Sequence, residues 1–183
     1  MNEAHTMKQR GHIYLIGYMG AGKSTVARHL AQTIHLPYIE MDALLEERLH
    51  ESIKEYFARF GEEAFRTEES ALLRELIQLD RPHIVSTGGG IIERIEHIDW
   101  LKTSGTVIYL FASPATLYHR LIQTDDRPLF SADQIAAFRS RYRRRHPRYL
   151  QAADCTISTA RYTPEEVSMR IAQFLMNHRQ SDV

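Results

Sequence analysis

A glycine-rich run near the start of the chain carries the clearest chemistry in the sequence. Gly17–Ser24 reads GYMGAGKS and fits the pattern G-x-x-x-x-G-K-[ST] in full, which typically cradles nucleotide phosphates. The glycines let backbone N–H groups turn toward phosphate oxygens, Lys23 can bridge the β- and γ-phosphates, and the Ser24 hydroxyl can bind Mg²⁺. Chance would produce the pattern in fewer than about one protein in a hundred of this length. The run therefore predicts a nucleoside triphosphate site rather than a plain glycine turn.

Two acids could serve the metal and a phosphoryl acceptor. P-loop enzymes commonly carry an Asp at the end of a second apolar strand, but the run His83–Thr87 leads into Gly88–Gly90 without an acid. Glu40 and Asp42 follow another short apolar run, and alternation along a strand would point both toward the sheet edge where α/β proteins bind ligands. Alone, they would be interpreted as surface acids at a helix N-terminus. Beside an intact phosphate loop, we expect one to support Mg²⁺ through water and the other to meet an acceptor hydroxyl.

The triple glycine Gly88, Gly89 and Gly90 has two possible explanations. One is a strand-to-helix turn that needs unusual dihedral angles, and the other is a bare backbone on which a flat polar substrate can lie. The two are compatible. Three consecutive glycines cost more backbone entropy than a turn normally requires, which favours ligand contact.

Three arginines could recognise an anionic substrate, although none stands out by spacing alone. Arg66 lies in a helical stretch, Arg127 precedes a proline, and Arg145 lies near the end of a predicted helix. Each could be a solvated surface charge, because most arginines lie on the protein surface. A planar guanidinium is also the best partner for a carboxylate or a transferring phosphoryl group. The residues by themselves leave both interpretations open.

The basic run over residues 139–148 could indicate RNA binding. Apolar residues at helical spacing favour an amphipathic helix instead, and this helix should end near His146 because Pro147 disfavours α geometry in the residue before it. The chain has 23 Lys and Arg against 23 Asp and Glu, so no global field attracts nucleic acid or an anionic membrane. We therefore expect neither as a partner.

Composition also predicts the compartment. The chain has 183 residues and one cysteine, Cys155, so no internal disulfide can form. Met1–Gly11 lacks the apolar core of a signal peptide, and no apolar run approaches the roughly 20 residues that cross a bilayer. We expect a cytoplasmic protein, with a monomer as the default state.

The elements around these residues alternate between short strands and longer helices. This is the βαβ pattern of a parallel sheet, and it predicts an α/β sandwich. We expect one domain over residues 1–183, with a loose tail over 1–10. The predicted strands are His12–Gly17, Pro37–Ile39, His83–Thr87, Thr106–Phe111 and Cys155–Ser158.

Helix boundaries and core positions follow from capping patterns and apolar spacing. Helix starts are predicted at Ser113-Pro114, at Ser131-x-x-Gln134 and at Thr163-Pro164-x-Glu166. A further helix is predicted over Ala43–Leu49. An apolar stripe of Leu72, Leu73, Leu76 and Leu79 predicts core packing. The polar connection Thr124–Leu129 could be an ordinary loop or a mobile flap over a site.

Several segments resemble shikimate kinases, and they occur in that family's order. They are Gly17–Thr25 (GYMGAGKST), Glu40-Met41-Asp42, Gly61–Arg66 (GEEAFR), Ser86–Gly90 (STGGG), Arg127-Pro128-Leu129 and Arg145–Tyr149 (RHPRY). Together they cover the chain from about Ile13 to the last helix. Many kinases share the phosphate loop, whereas the acid pair with the GEEAFR and STGGG blocks is far more specific.

The resemblance implies transfer of the γ-phosphoryl of ATP, with Mg²⁺, to a ring hydroxyl of shikimate, on the route to chorismate and the aromatic amino acids. It implies a three-layer sandwich of the P-loop NTPase type, with five parallel strands in the order 2-3-1-4-5. The implied ATP-binding residues are Gly20, Ala21, Gly22, Lys23, Ser24, Thr25, Arg120, which would stack on adenine, and Arg127. The implied shikimate-binding residues are Asp42, Arg66, Gly88, Gly89, Gly90 and Arg145, and the implied metal-binding residues are Ser24 and Glu40.

The resemblance also implies catalytic roles for Lys23, Asp42 and Arg127. Asp42 would bind the reacting hydroxyl as base or orienter, and Arg127 would swing in with a lid over residues 124–131. The chain departs from the family pattern at Glu40, where the family usually has Asp, and in the short lid segment.

Two other functions compete with this one. A kinase for gluconate or a nucleoside monophosphate would share the phosphate loop. A guanine-nucleotide switch should carry D-x-x-G and N-K-x-D, and the chain has neither.

Overall fold

A sheet of five parallel strands forms the centre of the protein. The computed structural model describes residues 11–124 and 132–180. The strands are β1 His12–Ile16, β2 Tyr38–Glu40, β3 Ile84–Ser86, β4 Gly105–Phe111 and β5 Cys155–Ser158. Their order is β2-β3-β1-β4-β5, which confirms the implied topology. The predicted tail 1–10, and residues 125–131 of the predicted lid 124–131, lie outside the described residues.

Helices cover both faces of the sheet and complete the three-layer sandwich. They are α1 Lys23–Ile34, α2 Met41–Leu49, α3 Ile53–Ile77, α4 Ile95–Ser104, α5 Pro114–Thr124, α6 Ala132–Ala152 and α7 Pro164–Gln180, with a 3₁₀ turn at Ile91–Glu93. Helix α3 is kinked at Gly61, whose φ of 82° is not helical. In the part of the chain that the structure describes, every helix is too short or too polar to span a bilayer.

Burial explains why the central strands are continuous apolar runs. Every residue of β1 is buried, as is every residue of β3, because helices cover both faces of a parallel sheet. The loops after β1 and β3 leave the same edge, since parallel strands share one carboxyl end. The fold therefore brings the phosphate loop and the triple glycine together.

Side-chain caps fix where two helices begin, as the sequence predicts. Ser113 Oγ accepts a hydrogen bond from the Thr116 N–H at 3.2 Å. Thr163 and Glu166 form a reciprocal capping box, with bonds of 3.3 Å and 2.8 Å. The predicted cap at Ser131 lies outside the described residues.

Helix α6 contradicts the predicted end near His146. It continues through Pro147 to Ala152. The added turn buries Tyr149 and Ala152 completely, and Arg148 Nη1 donates to the Glu93 carbonyl at 2.8 Å. Tertiary packing here outweighs the local preference against proline in a helix.

The predicted leucine stripe is right for three members and wrong for the fourth. Leu72, Leu73 and Leu76 are buried, whereas Leu79 is 40% exposed. The reason is that α3 ends at Ile77, so the helical spacing that would turn Leu79 inward no longer applies.

The first prediction compares these leucines. Leu73→Ala should lower the free energy of unfolding by about 2–5 kcal/mol, because it leaves a cavity in a fully buried site. Leu79→Ala removes the same atoms from an exposed position and should cost less than about 1 kcal/mol. Urea denaturation of both variants measures the difference, and equal losses would contradict the packing described.

Candidate active site

The phosphate loop lies between β1 and α1, where the sequence predicts it. Gly20 and Gly22 have φ angles of 79° and 89°, a left-handed region that glycine enters without steric cost. Gly22 is the N-cap of α1, so the free N–H groups of the first helical turn open toward the loop. Ser24 and Thr25 are exposed in that turn.

Lys23 folds back over the loop. Its Nζ donates to the Gly17 carbonyl at 2.9 Å and to the Tyr18 carbonyl at 3.3 Å. Burial lowers the pKa of Lys23 to about 8, and the charges of Asp42 and Glu40 act in the opposite direction. An anion at the loop would compete with the two carbonyls for the ammonium group and favour its charged form.

Ser24 and Glu40 form a polar pair beside Lys23. Ser24 Oγ donates to Glu40 Oε2 at 2.9 Å, while Glu40 Oε1 is buried without a hydrogen-bond partner. A hydroxyl next to a carboxylate with a spare oxygen fits Mg²⁺, a hard cation that prefers oxygen ligands. Among the residues described, no group of three or more His, Cys, Asp or Glu could hold a metal.

Asp42 lies in the first turn of α2, directly after Glu40 and Met41. The expectation that Glu40 and Asp42 alternate along one strand is wrong, because β2 ends at Glu40 and the helix begins at Met41. Both carboxylates nevertheless act on Lys23. Asp42 stays accessible to solvent, but desolvation by the surrounding protein raises its pKa, and the Lys23 charge opposes this.

The backbone of the triple glycine packs against charged side chains. None of the three has a positive φ, so the explanation by unusual dihedral angles is wrong. A Cβ on Gly88 would lie 2.7 Å from Asp42 Oδ1 and 3.1 Å from Glu69 Oε1, and one on Gly90 would collide with the Arg66 guanidinium. Glycine lets charged groups come close to the backbone here, and a Cβ at Gly88 or Gly90 would force the Asp42 or Arg66 side chain to shift.

Gly89 faces the phosphate loop and completes this packing. A Cβ there would lie 3.3 Å from the Met19 backbone nitrogen, which is tighter than normal contact. The Gly89 carbonyl accepts a hydrogen bond from the Tyr149 hydroxyl of α6. The triplet therefore contacts the phosphate loop and α6 as well as α2 and α3.

Arg66 is a buried arginine between two acids of α3. Nη1 donates to Glu69 Oε2 at 2.7 Å, and Nη2 donates to Glu62 Oε1 at 3.2 Å. Burial raises the pKa of Glu69, and the Arg66 charge opposes that shift. The Arg66 Nε is buried without a partner. The guanidinium is thus rigidly held and keeps unused hydrogen-bonding capacity.

Arg145 reaches the same region from α6. Its side chain is 10% exposed, and Nε donates to Glu93 Oε1 at 2.6 Å. The guanidinium carbon lies 5.7 Å from the centre of the Tyr18 ring, a cation–π distance. The charge of Arg145 acts on both Lys23 and Glu69, so it belongs to the same electrostatic cluster.

Arg120 of α5 contacts the phosphate loop at Gly20. It donates to the Gly20 carbonyl at 3.2 Å and to Thr159 Oγ1 at 3.0 Å. An open cavity of about 260 Å³ is lined by Gly20, Gly22, Arg120 and Gln123. This is the position expected for the base of a nucleotide whose phosphates occupy the loop, and stacking of Arg120 on adenine stays a prediction. Arg127 lies outside the described residues.

Sequence reasoning missed Glu69, Glu93 and Tyr149 as parts of the site. Glu69 could have been found, because Arg66-x-x-Glu69 is a helical i,i+3 spacing that favours an ion pair. Nothing separates Glu93 from the exposed acids in the sequence, since its arginine partners lie on α6. Tyr149 lies in the RHPRY block, but Pro147 predicts a helix end before it.

The fold and the site define a P-loop phosphotransferase for an anionic small molecule. A phosphate loop with a lysine faces an acid and two buried arginines across bare glycine backbone. A family model described as shikimate kinase matches residues 19–176. A shikimate kinase from Bacillus mycoides (strain KBAB4) is 38% identical over 161 residues, which is 88% of this chain and 96% of that protein. The chain therefore belongs to the shikimate kinase family.

Solved structures agree with this family assignment. A shikimate kinase from Acinetobacter baumannii, in complex with shikimate, superposes with a TM-score of 0.84 at 30% identity, and the match covers 96% of this chain and 98% of that one. A gluconokinase from Sinorhizobium meliloti 1021 has a TM-score of 0.52 at 16% identity, over 93% of this chain and 99% of that chain. The gluconokinase shares the fold alone.

The second prediction uses the depressed pKa of Lys23. Binding of ATP with Mg²⁺ should raise this pKa, because the ammonium gains triphosphate oxygens as partners. A pKa of about 8 leaves about three quarters of the lysine neutral at pH 8.5, so binding should take up about that fraction of a proton. Titration calorimetry in buffers of different ionisation enthalpy measures the uptake.

Two controls accompany this titration. At pH 7 Lys23 is already charged, so its contribution to the uptake should fall to about a tenth of a proton or less. Lys23→Arg keeps a charge that does not titrate and should abolish the pH dependence. Equal proton uptake at pH 7 and pH 8.5 in the unmodified protein would contradict the depressed pKa.

Proposed function

We propose that this chain transfers the γ-phosphoryl of ATP to a ring hydroxyl of shikimate, giving shikimate 3-phosphate and ADP on the route to chorismate and the aromatic amino acids. Membership of the shikimate kinase family supports the reaction class. The shikimate kinase from Acinetobacter baumannii has been solved in complex with shikimate. The site described above supports the same assignment on chemical grounds.

A single observation carries the proposal: Asp42 lies between the phosphate-binding group and the anion-binding groups. Its carboxylate acts on Lys23 and is in turn acted on by Arg66. Its Oδ1 lies next to the Gly88 backbone. An acceptor on the glycine backbone would have a hydroxyl beside Asp42 and its carboxylate near an arginine.

The acceptor side suits a flat monocarboxylate. Among the described residues, Arg66 keeps its Nε and Arg145 keeps both terminal nitrogens without a partner, and a guanidinium donates charge-assisted hydrogen bonds to a carboxylate. Gly88, Gly89 and Gly90 would let the ring lie against the backbone. In this proposal the two arginines fix the carboxylate, which leaves a ring hydroxyl directed toward Asp42.

The donor side suits ATP with Mg²⁺. Residues Gly20–Thr25 would bind the phosphates, and Lys23 would move from the loop carbonyls to the β- and γ-phosphates. Mg²⁺, held by Ser24 and supported by Glu40, would neutralise charge on the β- and γ-oxygens. Arg120 would contact the adenine over the open cavity.

The transfer itself needs positioning and one proton acceptor. The acceptor oxygen forms a bond to the γ-phosphorus, the bond between that phosphorus and the β,γ-bridging oxygen breaks, and ADP leaves with the electron pair. Asp42 would orient the hydroxyl and receive its proton. A raised pKa makes Asp42 a better proton acceptor than an ordinary aspartate, provided that it is ionised at the start.

Water must be excluded, because a bound water could otherwise replace the acceptor. We propose that residues 124–131 close over the site and that Arg127 stabilises the transferring phosphoryl group; of this segment, residues 125–131 lie outside the described residues. We further propose that one domain does this work as a cytoplasmic monomer without nucleic acid or membrane partners, which agrees with the balanced charge of the chain.

The third prediction tests the function directly. A coupled assay of ADP release, with ATP and Mg²⁺, is run with shikimate, gluconate, nucleoside monophosphates and no acceptor in parallel. Release should require shikimate and should stop when a chelator removes Mg²⁺. Release with a different acceptor would keep the phosphate loop but discard the proposed roles of Arg66 and Arg145, and release with none would indicate an ATPase.

The fourth prediction concerns Asp42. Asp42→Asn should lower kcat by about a hundredfold or more, because the amide cannot accept the proton. In the unmodified protein, kcat should fall with decreasing pH around a pKa above that of an ordinary aspartate, since the pKa of Asp42 is raised. Glu47→Gln changes an exposed acid of the same helix and should leave kcat unchanged. Near-normal turnover in Asp42→Asn would disprove its role.

A further inference from the structure

Glu93 is an acid at the centre of an arginine cluster that the reaction does not require. It ends the 3₁₀ turn that follows the triple glycine. Its Oε1 accepts from Arg145 Nε at 2.6 Å and from Arg144 Nη2 at 2.7 Å, and its Oε2 accepts from Arg148 Nη1 at 3.3 Å. The carboxylate therefore joins the turn after β3 to one face of α6.

The three arginines differ in burial, and this difference identifies the contact that matters. The side chains of Arg144 and Arg148 are 59% and 42% exposed, whereas those of Arg145 and Glu93 are 10% and 12% exposed. Exposed ion pairs contribute little because water screens them. A charge-assisted hydrogen bond between two groups shielded from water is stronger and geometrically more demanding.

Glu93 contacts Arg145 through Nε, and this leaves both terminal nitrogens of the guanidinium available. Nε is the only Arg145 nitrogen with a hydrogen-bond partner among the described residues. The side of the guanidinium that carries both terminal nitrogens therefore stays open to a ligand. The guanidinium carbon also lies over the Tyr18 ring, 5.7 Å from its centre. Together these contacts fix the plane of the guanidinium and reduce the rotamer entropy that ligand binding would otherwise cost.

Glu93 also fixes the relative position of two elements. Arg148 Nη1 donates to the Glu93 backbone carbonyl at 2.8 Å, and the Glu93 N–H donates to the Gly90 carbonyl at 2.9 Å. The triple glycine and Arg145 are thus held together through one residue. Burial alone would raise the pKa of Glu93, but hydrogen bonds from Arg145 and Arg144 lower it, so the carboxylate is charged at neutral pH.

We propose that Glu93 is a positioning residue for the acceptor site: it orients the Arg145 guanidinium against the triple glycine, so that the terminal nitrogens meet the substrate carboxylate. The proposal rests on the proposed function, because it takes Arg145 as a shikimate ligand. It assigns Glu93 no contact with substrate or phosphate. Its loss should therefore weaken acceptor binding and leave the phosphoryl-transfer step largely intact.

The test compares Glu93→Ala with Glu93→Gln. Glu96→Gln, which removes the same charge from an exposed site outside the arginine cluster, is the control. Glu93→Ala should raise the KM for shikimate about tenfold or more, because a charge-assisted hydrogen bond is lost. The KM for ATP and kcat should change by less than about threefold. Glu93→Gln keeps an oxygen for Arg145 Nε and should raise the shikimate KM clearly less. Glu96 is exposed on the neighbouring helix, and its change should have no effect.

The comparison separates orientation from charge. Both variants at Glu93 remove the same charge, so equal increases in the shikimate KM would overturn the positioning role in favour of electrostatics alone. Unchanged shikimate KM in Glu93→Ala would overturn it altogether. Shikimate-dependent turnover by the unmodified protein is established first, since its absence disproves the proposed function and not the contact.

A double-mutant cycle covers the case in which Glu93→Ala does not fold. Glu93→Gln and Arg145→Ala are combined, and kcat/KM is measured at low shikimate. If Glu93 acts through Arg145, Glu93→Gln should have no further effect, within about twofold, once Arg145 is absent. Equal losses in both backgrounds would overturn the proposal, because they would show that Glu93 acts on something other than Arg145.

Discussion

The close approach of bare glycine backbone to charged side chains is the constraint on which the site depends. Gly88–Gly90 follows β3, next to the phosphate loop after β1, and a Cβ at any of the three would be in tight contact with its neighbours. Asp42 and Arg66 lie where Cβ atoms of Gly88 and Gly90 would collide with them, and Glu69 comes close to the Cβ position of Gly88. The parallel sheet provides this arrangement, because the loops after adjacent strands leave from the same edge. The phosphate donor and the acceptor can therefore meet beside the exposed main chain of the three glycines.

Buried charge is the second constraint, and the structure meets it by pairing. Arg66 lies against Glu69, and Arg145 lies against Glu93. A buried charge without a partner costs several kcal/mol, and these acids supply a partner to each arginine in the ligand-free site. They also hold each guanidinium in one orientation. Part of the ordering that ligand binding requires is thus already present in the fold.

Prediction from the sequence succeeded where the signal is local or belongs to the family. The strand and helix alternation, the phosphate loop and two helix caps follow from short patterns, and the strand order follows from the resemblance. The path of α6 through Pro147 could not be predicted, because it depends on burying Tyr149 against Gly89. Glu93 could not be predicted either, since its partners are about fifty residues away on another element. No local sequence pattern indicates that contact.

The departure at Glu40 from the family pattern has a geometric interpretation in this structure. The family usually has Asp at this position, one methylene shorter. Here β2 ends at Glu40 and α2 begins at the next residue, so the side chain leaves from the last residue of the strand. Its length lets Oε2 meet Ser24 Oγ directly at 2.9 Å, while Oε1 stays buried and unpaired. The longer acid thus joins a residue of the phosphate loop to the end of β2, two residues before Asp42.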